Sequence, residues 1–361
     1  FGIDPVDGKL PTDQPADWPT VDEVRKYNRK VRKSVDACLQ ESPLLDRDRP
    51  ALRNGYIFNI VIEHRLMHAE TFAYLLHQMP LEKKDGVKTC PVTEGPSVTP
   101  KMVEIPAGSV TLGLEASPDE AFGWDNERNS RRVEVPRFAL SAHNVTNGEF
   151  LEFVRSRAYD EQRYWSEEGW EWKTSNGISH PGFWVRKGDE WYCRLLFDEI
   201  PLPTDWPVYV TYAEADAYVR WAGKDLPTEA QLHRAAYGTP EGGERAYPWG
   251  DEPPEVARGN FDFGRWDPTP VGYYPSGQSA FGIHDLLGNG WEWTRTVFEP
   301  FDGFDPFPPY PGYSANFFDG KHYVVKGGTA RTAACMLRRS FRNWFQPHYP
   351  YVYVAFRLVE N

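Results

Sequence analysis

His64 and His68 stand four residues apart in the string His64-Arg65-Leu66-Met67-His68-Ala69-Glu70. On an α-helix that spacing stacks two imidazoles on one face, close enough to share a metal ion. Glu70 makes the string read HxxxHxE, the ligand types of a two-histidine, one-carboxylate iron triad. Helix geometry argues against the carboxylate as a ligand. At about 100° per residue, Glu70 lies roughly 240° around from His64 and 200° from His68, so it is read as a group that orients a ligand or bridges to another element. From this motif alone zinc stays open beside iron. A zinc-protease reading fails, because Arg65 stands where HExxH needs its general-base glutamate. Two hydrogen-bonded core histidines without a metal are the bland alternative. His77 falls roughly 180° from His68 and is not expected to join the pair.

A helix must carry these groups. From Tyr56 to Met79, ending before Pro80, the apolar residues Ile57, Ile60, Val61, Phe72, Leu75 and Met79 recur at helical steps. Continuing that series through 64 and 68 places both histidines on the inward stripe, where a shared ion would satisfy their nitrogens. Upstream, Thr20 and Glu23 form a capping box ahead of Val21, Val24, Tyr27, Val31, Val35 and Cys38, which predicts a second amphipathic helix. Both helices require partners.

Residues 81–100 mix charge, Pro, Gly and Thr without periodicity and read as a linker. Beyond it come strand signals at Val103 to Ile105, Val133 to Leu140 and 351–358. Capping boxes at Thr146/Glu149, Thr211/Glu214 and Thr228/Gln231 announce three short helices. The long irregular segments 160–206 and 239–325 fit a fold dominated by loops. The expected organisation is α+β, with a helical domain over 1–94 and a loop-rich domain over 95–361.

Composition narrows the function. A formal charge of -12 argues against nucleic acid, and no apolar run approaches the ~18 residues of a membrane span. Cys38, Cys90, Cys193 and Cys335 are scattered and form no CxxC pair, which argues against a disulfide scaffold or a cysteine zinc site and favours a reducing cytoplasm. The chain opens on Phe1 with no signal peptide, and an N-terminal segment is expected to precede it.

HRLMHAE resembles the iron motif of the EgtB/OvoA family of ergothioneine-type sulfoxide synthases, whose N-terminal domain is a DinB-like four-helix bundle. The second half resembles the formylglycine-generating-enzyme, C-type-lectin-like domain of the same family. The matching pieces are VEIPAGSVTLG at 103–113, WDNERNSRRVEV at 124–135, HNVTNGEF at 143–150, PVYVTYAEADAYVRWAGKDLPTEAQLHRAA at 207–236, GNGWEWT at 288–294 and VVKGGTARTAACMLRRSFRNW at 324–344.

The resemblance implies iron(II) on three histidines: His64, His68 and one expected upstream of Phe1. It implies O2-dependent joining of a thiol to the imidazole of trimethylhistidine, giving a sulfoxide. In the turn YPGY it implies Tyr310 as the catalytic acid, with Tyr313 in support. It places Asn343 and Trp344 in one substrate pocket, followed by Phe345 and Gln346. The run Phe345-Gln346-Pro347-His348-Tyr349 lacks the charges that grip γ-glutamylcysteine, so cysteine is the expected thiol. Asn289 and Glu292 are candidate calcium ligands, with a structural turn as the slightly favoured reading. A histidine-using OvoA-type or a selenosugar-using enzyme stays open, as does a homo-oligomer. A formylglycine-generating activity needs two nearby cysteines late in the chain, and only Cys335 lies there. A non-catalytic lectin-like module is the rival of another class.

Overall fold

The structure is a computed structural model that describes residues 15–43, 48–49, 51–85, 89–115 and 122–361. The chain divides into two units, Phe1–Phe58 and Asn59–Asn361.

In the first unit, α1 spans Val21–Glu41. Its start follows from the predicted capping box: the Thr20 hydroxyl accepts from the Glu23 amide at 3.3 Å, and the Glu23 carboxylate accepts from the Thr20 amide at 2.8 Å. None of its residues is buried, and the apolar stripe from Val21 to Val35 is exposed.

Helix α2 spans Tyr56–His77, its residues from Asn59 onward belonging to the second unit. Its buried residues are Ile60, Glu63, Glu70, Ala73 and His77, while Val61, Phe72, Leu75 and Met79 are exposed. This corrects the expected inward stripe, and with it the expected burial of the histidines: His64 is half-buried and His68 exposed. The reason is complementarity. The surface under α2 offers indole N–H, hydroxyl and guanidinium donors, and a carboxylate matched by such donors is cheaper to bury than the donors would be alone.

The last residue of α2 shows the same principle. His77 Nε2 donates to the Arg194 carbonyl at 2.9 Å, which leaves Nδ1 to accept from the Tyr353 hydroxyl at 3.0 Å. Burial and the nearby Arg331 charge push this imidazole down to about 3. An unfolded histidine titrates near 6.5, so between those values the unfolded chain binds a proton that the native one excludes. Stability should therefore fall as pH drops from about 6.5 towards 3, by up to ~1.4 kcal/mol per pH unit. In urea titrations His77→Gln should be less stable at pH 7 and lose this part of the acid slope; an unchanged slope would assign it to other groups.

The rest of the second unit contains, in order, β1 (Met102–Ile105), β2 (Gly108–Leu112), β3 (Arg131–Val135), β4 (Phe138–Ser141), α3 (Asn147–Arg155), α4 (Glu167–Ser175), β5 (Trp184–Lys187), β6 (Glu190–Arg194), β7 (Glu199–Pro201), α5 (Tyr212–Ala222), α6 (Glu229–Tyr237), β8 (Gly290–Val297), β9 (Tyr323–Gly328), β10 (Asn343–Phe345), β11 (Val354–Ala355) and β12 (Val359–Glu360). Helices α3, α5 and α6 start at the three predicted capping boxes. The sheets run β1-β4-β12, β10-β9-β8-β11, β2-β3 and β5-β6-β7. The predicted strand over 133–140 is two strands, because Pro136 cannot donate to a ladder. The alternating run at 351–358 holds only β11, and β12 begins just beyond it. Val354 pairs with Trp291 of β8, the chain then crosses, and Val359 pairs with Leu140 of β4. Ile105, Leu140, Leu232, Ile283 and Val359 form the main core.

Candidate active site

The two histidines converge on the flank of α2. Their Nε2 atoms lie 3.2 Å apart, the separation of two adjacent donors on one ion with metal–nitrogen bonds of about 2.1 Å. Partial burial and the neighbouring His68 lower the pKa of His64, which favours the neutral imidazole that a metal requires. The donor set therefore fits a metal ion. Among the described residues no group of three or more His, Cys, Asp or Glu side chains gathers around one such point.

Two buried anchors set the rotation of the helix that presents the pair. One residue before His64, Glu63 accepts from Arg338 Nη1 at 2.7 Å, Arg338 Nη2 at 3.0 Å and Trp124 Nε1 at 2.8 Å. Arg338 also donates from Nε to Glu127 at 2.7 Å, so one guanidinium bridges two carboxylates. Two residues after His68, Glu70 accepts from Trp291 Nε1 at 2.8 Å, from Thr329 at 2.9 Å and from Thr332 at 2.8 Å. Burial raises the pKa of both carboxyls, and these donors oppose the shift. Glu70 thus points away from the histidine pair, as the helix arithmetic requires.

The tyrosine turn faces the pair. The Tyr310 ring is 5.4 Å from that of His64, edge to face, and 5.8 Å from that of Tyr313. Tyr310 is 39% exposed, whereas Tyr313 is buried, stacked on Trp124 at 3.9 Å, with its hydroxyl 3.6 Å from Met67 Sδ. Burial beside Glu127 raises the Tyr313 pKa well above the usual phenol range, so its hydroxyl stays protonated. Trp344 meets Tyr313 at 5.5 Å, completing an aromatic wall.

Other expected site residues lie elsewhere. Successive residues of β10 point to opposite faces, so Trp344 packs on Phe298 while Phe345 approaches Trp293 and Tyr349. Asn343 shares the Phe345 side, and its carboxamide oxygen accepts from the Trp344 amide at 2.9 Å. Asn343 and Trp344 therefore do not line one wall together. Gln346 is exposed. Asn289 and Glu292 make the contacts of the favoured structural turn. Both Glu292 oxygens accept from Arg357, at 2.8 and 2.9 Å, and the two side chains are wholly buried. Asn289 Oδ1 accepts from the Thr269 amide at 2.8 Å and from Asn260 at 3.2 Å. These acceptors hold the turn together and leave no carboxylate for a cation.

Sequence reasoning missed Glu63, Trp124, Glu127 and Arg338. Arg338 lies in the quoted run 324–344, but only the fold brings it to Glu63, 275 residues away in the chain.

The architecture defines the class. A family model described as "Sulfatase-modifying factor enzyme 1-like domain" matches residues 89–361, and in this chain that domain is joined to a helix bearing the histidine pair. The chain is 36% identical over 344 residues to "Hercynine oxygenase" of Mycolicibacterium thermoresistibile, covering 93% of this chain and 74% of that protein. It is 38% identical over 347 residues to "Hercynine oxygenase" of Mycolicibacterium smegmatis, covering 93% of this chain and 77% of that protein. "Ergothioneine biosynthesis protein 1" of Schizosaccharomyces pombe is 28% identical over 381 residues, and the match covers 96% of this chain and 44% of that protein. The chain belongs to the hercynine oxygenase family and is an enzyme of the oxidoreductase class. Among the described residues no helix is long and apolar enough to cross a membrane.

Proposed function

We propose that the chain is the ergothioneine-pathway sulfoxide synthase that joins the sulfur of cysteine to the imidazole of Nα-trimethylhistidine at a ferrous ion held by His64 and His68. A third histidine ligand, of the kind the resemblance implies, is part of the proposal. The observation that carries it is the 3.2 Å approach of the two Nε2 atoms beside the Tyr310 ring. The net reaction balances without an outside reductant. The imidazole C–H and the thiol S–H are lost, a C–S bond forms, one oxygen atom of O2 goes to sulfur and the other leaves as water.

Iron bound between the imidazoles would supply the activation of O2. The protein supplies placement and protons. Tyr310, partly exposed and 5.4 Å from the His64 ring, is the residue that would hold and deliver the proton at its Oη. Tyr313, backed in turn by Trp344, packs beside Tyr310 and sets its position. The uncharged run from Phe345 to Tyr349 suits cysteine better than a dipeptide carrying a further carboxylate.

The direct test is aerobic incubation with ferrous ion, cysteine and trimethylhistidine. A product equal in mass to both substrates minus two hydrogens plus one oxygen is expected; cysteine sulfinate alone would reject the reading. Tyr310→Phe should keep its iron while product shifts from sulfoxide towards sulfinate, by roughly 10²-fold in ratio if Tyr310 is the acid. An unchanged ratio by mass spectrometry would move the acid elsewhere.

A further inference from the structure

The segment that carries the tyrosines is gripped at both ends by one short run of chain. Two successive turns build it: the Tyr310 amide donates to the Phe307 carbonyl at 3.0 Å, and the Tyr313 amide to the Tyr310 carbonyl at 3.1 Å. Such turns hold their own shape but fix no place on the protein. Place comes from Trp124, Asp125 and Asn126. At the far end the Ser314 hydroxyl, next to Tyr313, donates to Asp125 Oδ1. Its single proton is thereby engaged, so it accepts from Asn126 Nδ2 at 2.8 Å. Asp125 Oδ1 also accepts from the Asn126 amide at 2.8 Å. At the near end the Phe307 amide is a further donor to the Asp125 carboxylate, and the Phe307 ring lies 5.8 Å from that of Trp124.

The same run is tied to the histidine helix. Trp124 stacks on Tyr313 and donates to Glu63, the residue before His64, so one side chain meets both the turn and α2. Asp125, Asn126 and Ser314 are each at most 1% exposed. Directional hydrogen bonds between buried groups fix geometry more sharply than apolar contact does. Tyr310 is partly exposed, so little of its own packing can hold it.

We propose that Asp125, acting through Ser314, is a positioning residue for Tyr310, holding the tyrosine turn at the distance from the histidine pair at which the phenol delivers its proton. This rests on the reading of Tyr310 as the acid. The consequence is a choice between two products at one site. With the turn held, one oxygen atom of O2 leaves as water and the C–S bond forms; with it loosened, cysteine takes both oxygen atoms and becomes the sulfinate.

The test is Ser314→Ala in the full chain. Its iron content should match the parent's, while the ratio of sulfoxide to cysteine sulfinate should fall about tenfold, a partial loss beside the roughly 10²-fold for removing the phenol itself. In a Tyr310→Phe background the same change should lower the ratio no further, because residues that act through one group are not additive. A general loss of stability does not produce that pattern. A crystal structure of Ser314→Ala should show the Tyr310 ring displaced from its 5.4 Å approach to His64 with the histidine pair in place. An unchanged ratio, or an additive loss in the double variant, would overturn the role of Asp125 and leave the synthase reading standing. A parent chain that makes no sulfoxide would reject that reading instead, and an unmoved Tyr310 ring in the variant crystal would then overturn the positioning on its own. Should Ser314→Ala fail to fold, Asp125→Asn, which keeps the volume of the side chain, carries the same measurements.

Discussion

His68→Ala is expected to empty the proposed metal site and to abolish sulfoxide formation together. The histidine pair supplies both described donors, and their 3.2 Å separation means neither can be replaced by a movement of the other. Changing groups that merely stand behind metal ligands costs about 10- to 100-fold in affinity or activity, so losing a direct ligand should cost at least ~100-fold. Metal analysis and product formation are read on one preparation. Arg65→Ala, an exposed change on the same turn, is the control and should retain both. Retention of iron and activity in His68→Ala would withdraw the assignment. Because His68 is exposed, the variant should melt near the parent in the absence of metal, which separates this effect from misfolding.

Arg338→Met should be the most destabilising single change near the site. The side chains of Glu63 and Glu127 are 7% and 1% exposed, and Arg338 is their common partner. Removing it leaves two buried carboxylates facing each other, a change of about 3–5 kcal/mol. For a chain of this size that is a fall of roughly 10 °C in midpoint by circular dichroism. The sign with pH is distinctive. Burial already raises the Glu63 pKa, and losing Arg338 removes the main opposing charge. Protonation at mildly acid pH then relieves the repulsion, so the deficit should shrink as pH falls. A pH-independent deficit would point to lost packing against Phe122 and Phe341 instead. Arg338→Lys should recover part of the charge but not the forked contact with two carboxylates.

Local grammar was the legible part of the sequence. Four capping boxes predict the starts of α1, α3, α5 and α6, and each is present as a reciprocal pair of hydrogen bonds. Such signals lie within four residues and need no tertiary context. The convergence of His64 with His68 was readable for the same reason. What failed was the equation of apolar with inward. Helix α2 docks through Glu63, Glu70 and His77 because Arg338, Trp124, Trp291, Thr329 and Thr332 meet it, and none of those partners is near it in sequence. The structural role of Glu292 likewise depends on a distant partner, Arg357, 65 residues on. The Tyr310 turn was locatable by resemblance, whereas its 5.4 Å approach to His64 is a product of the fold.

Glu63 and Glu70 are seven residues apart, almost two helical turns, and they clasp α2 at both ends of the segment that carries the imidazoles. They act as a phase lock. Inserting one residue between His64 and His68 would turn one clasp by about 100° relative to the other and pull the two rings off their common azimuth. The outer flank of the same segment carries no such constraint. Its chemistry can drift, and with it the molecules it greets, while the bearing of the two ring nitrogens stays set from beneath.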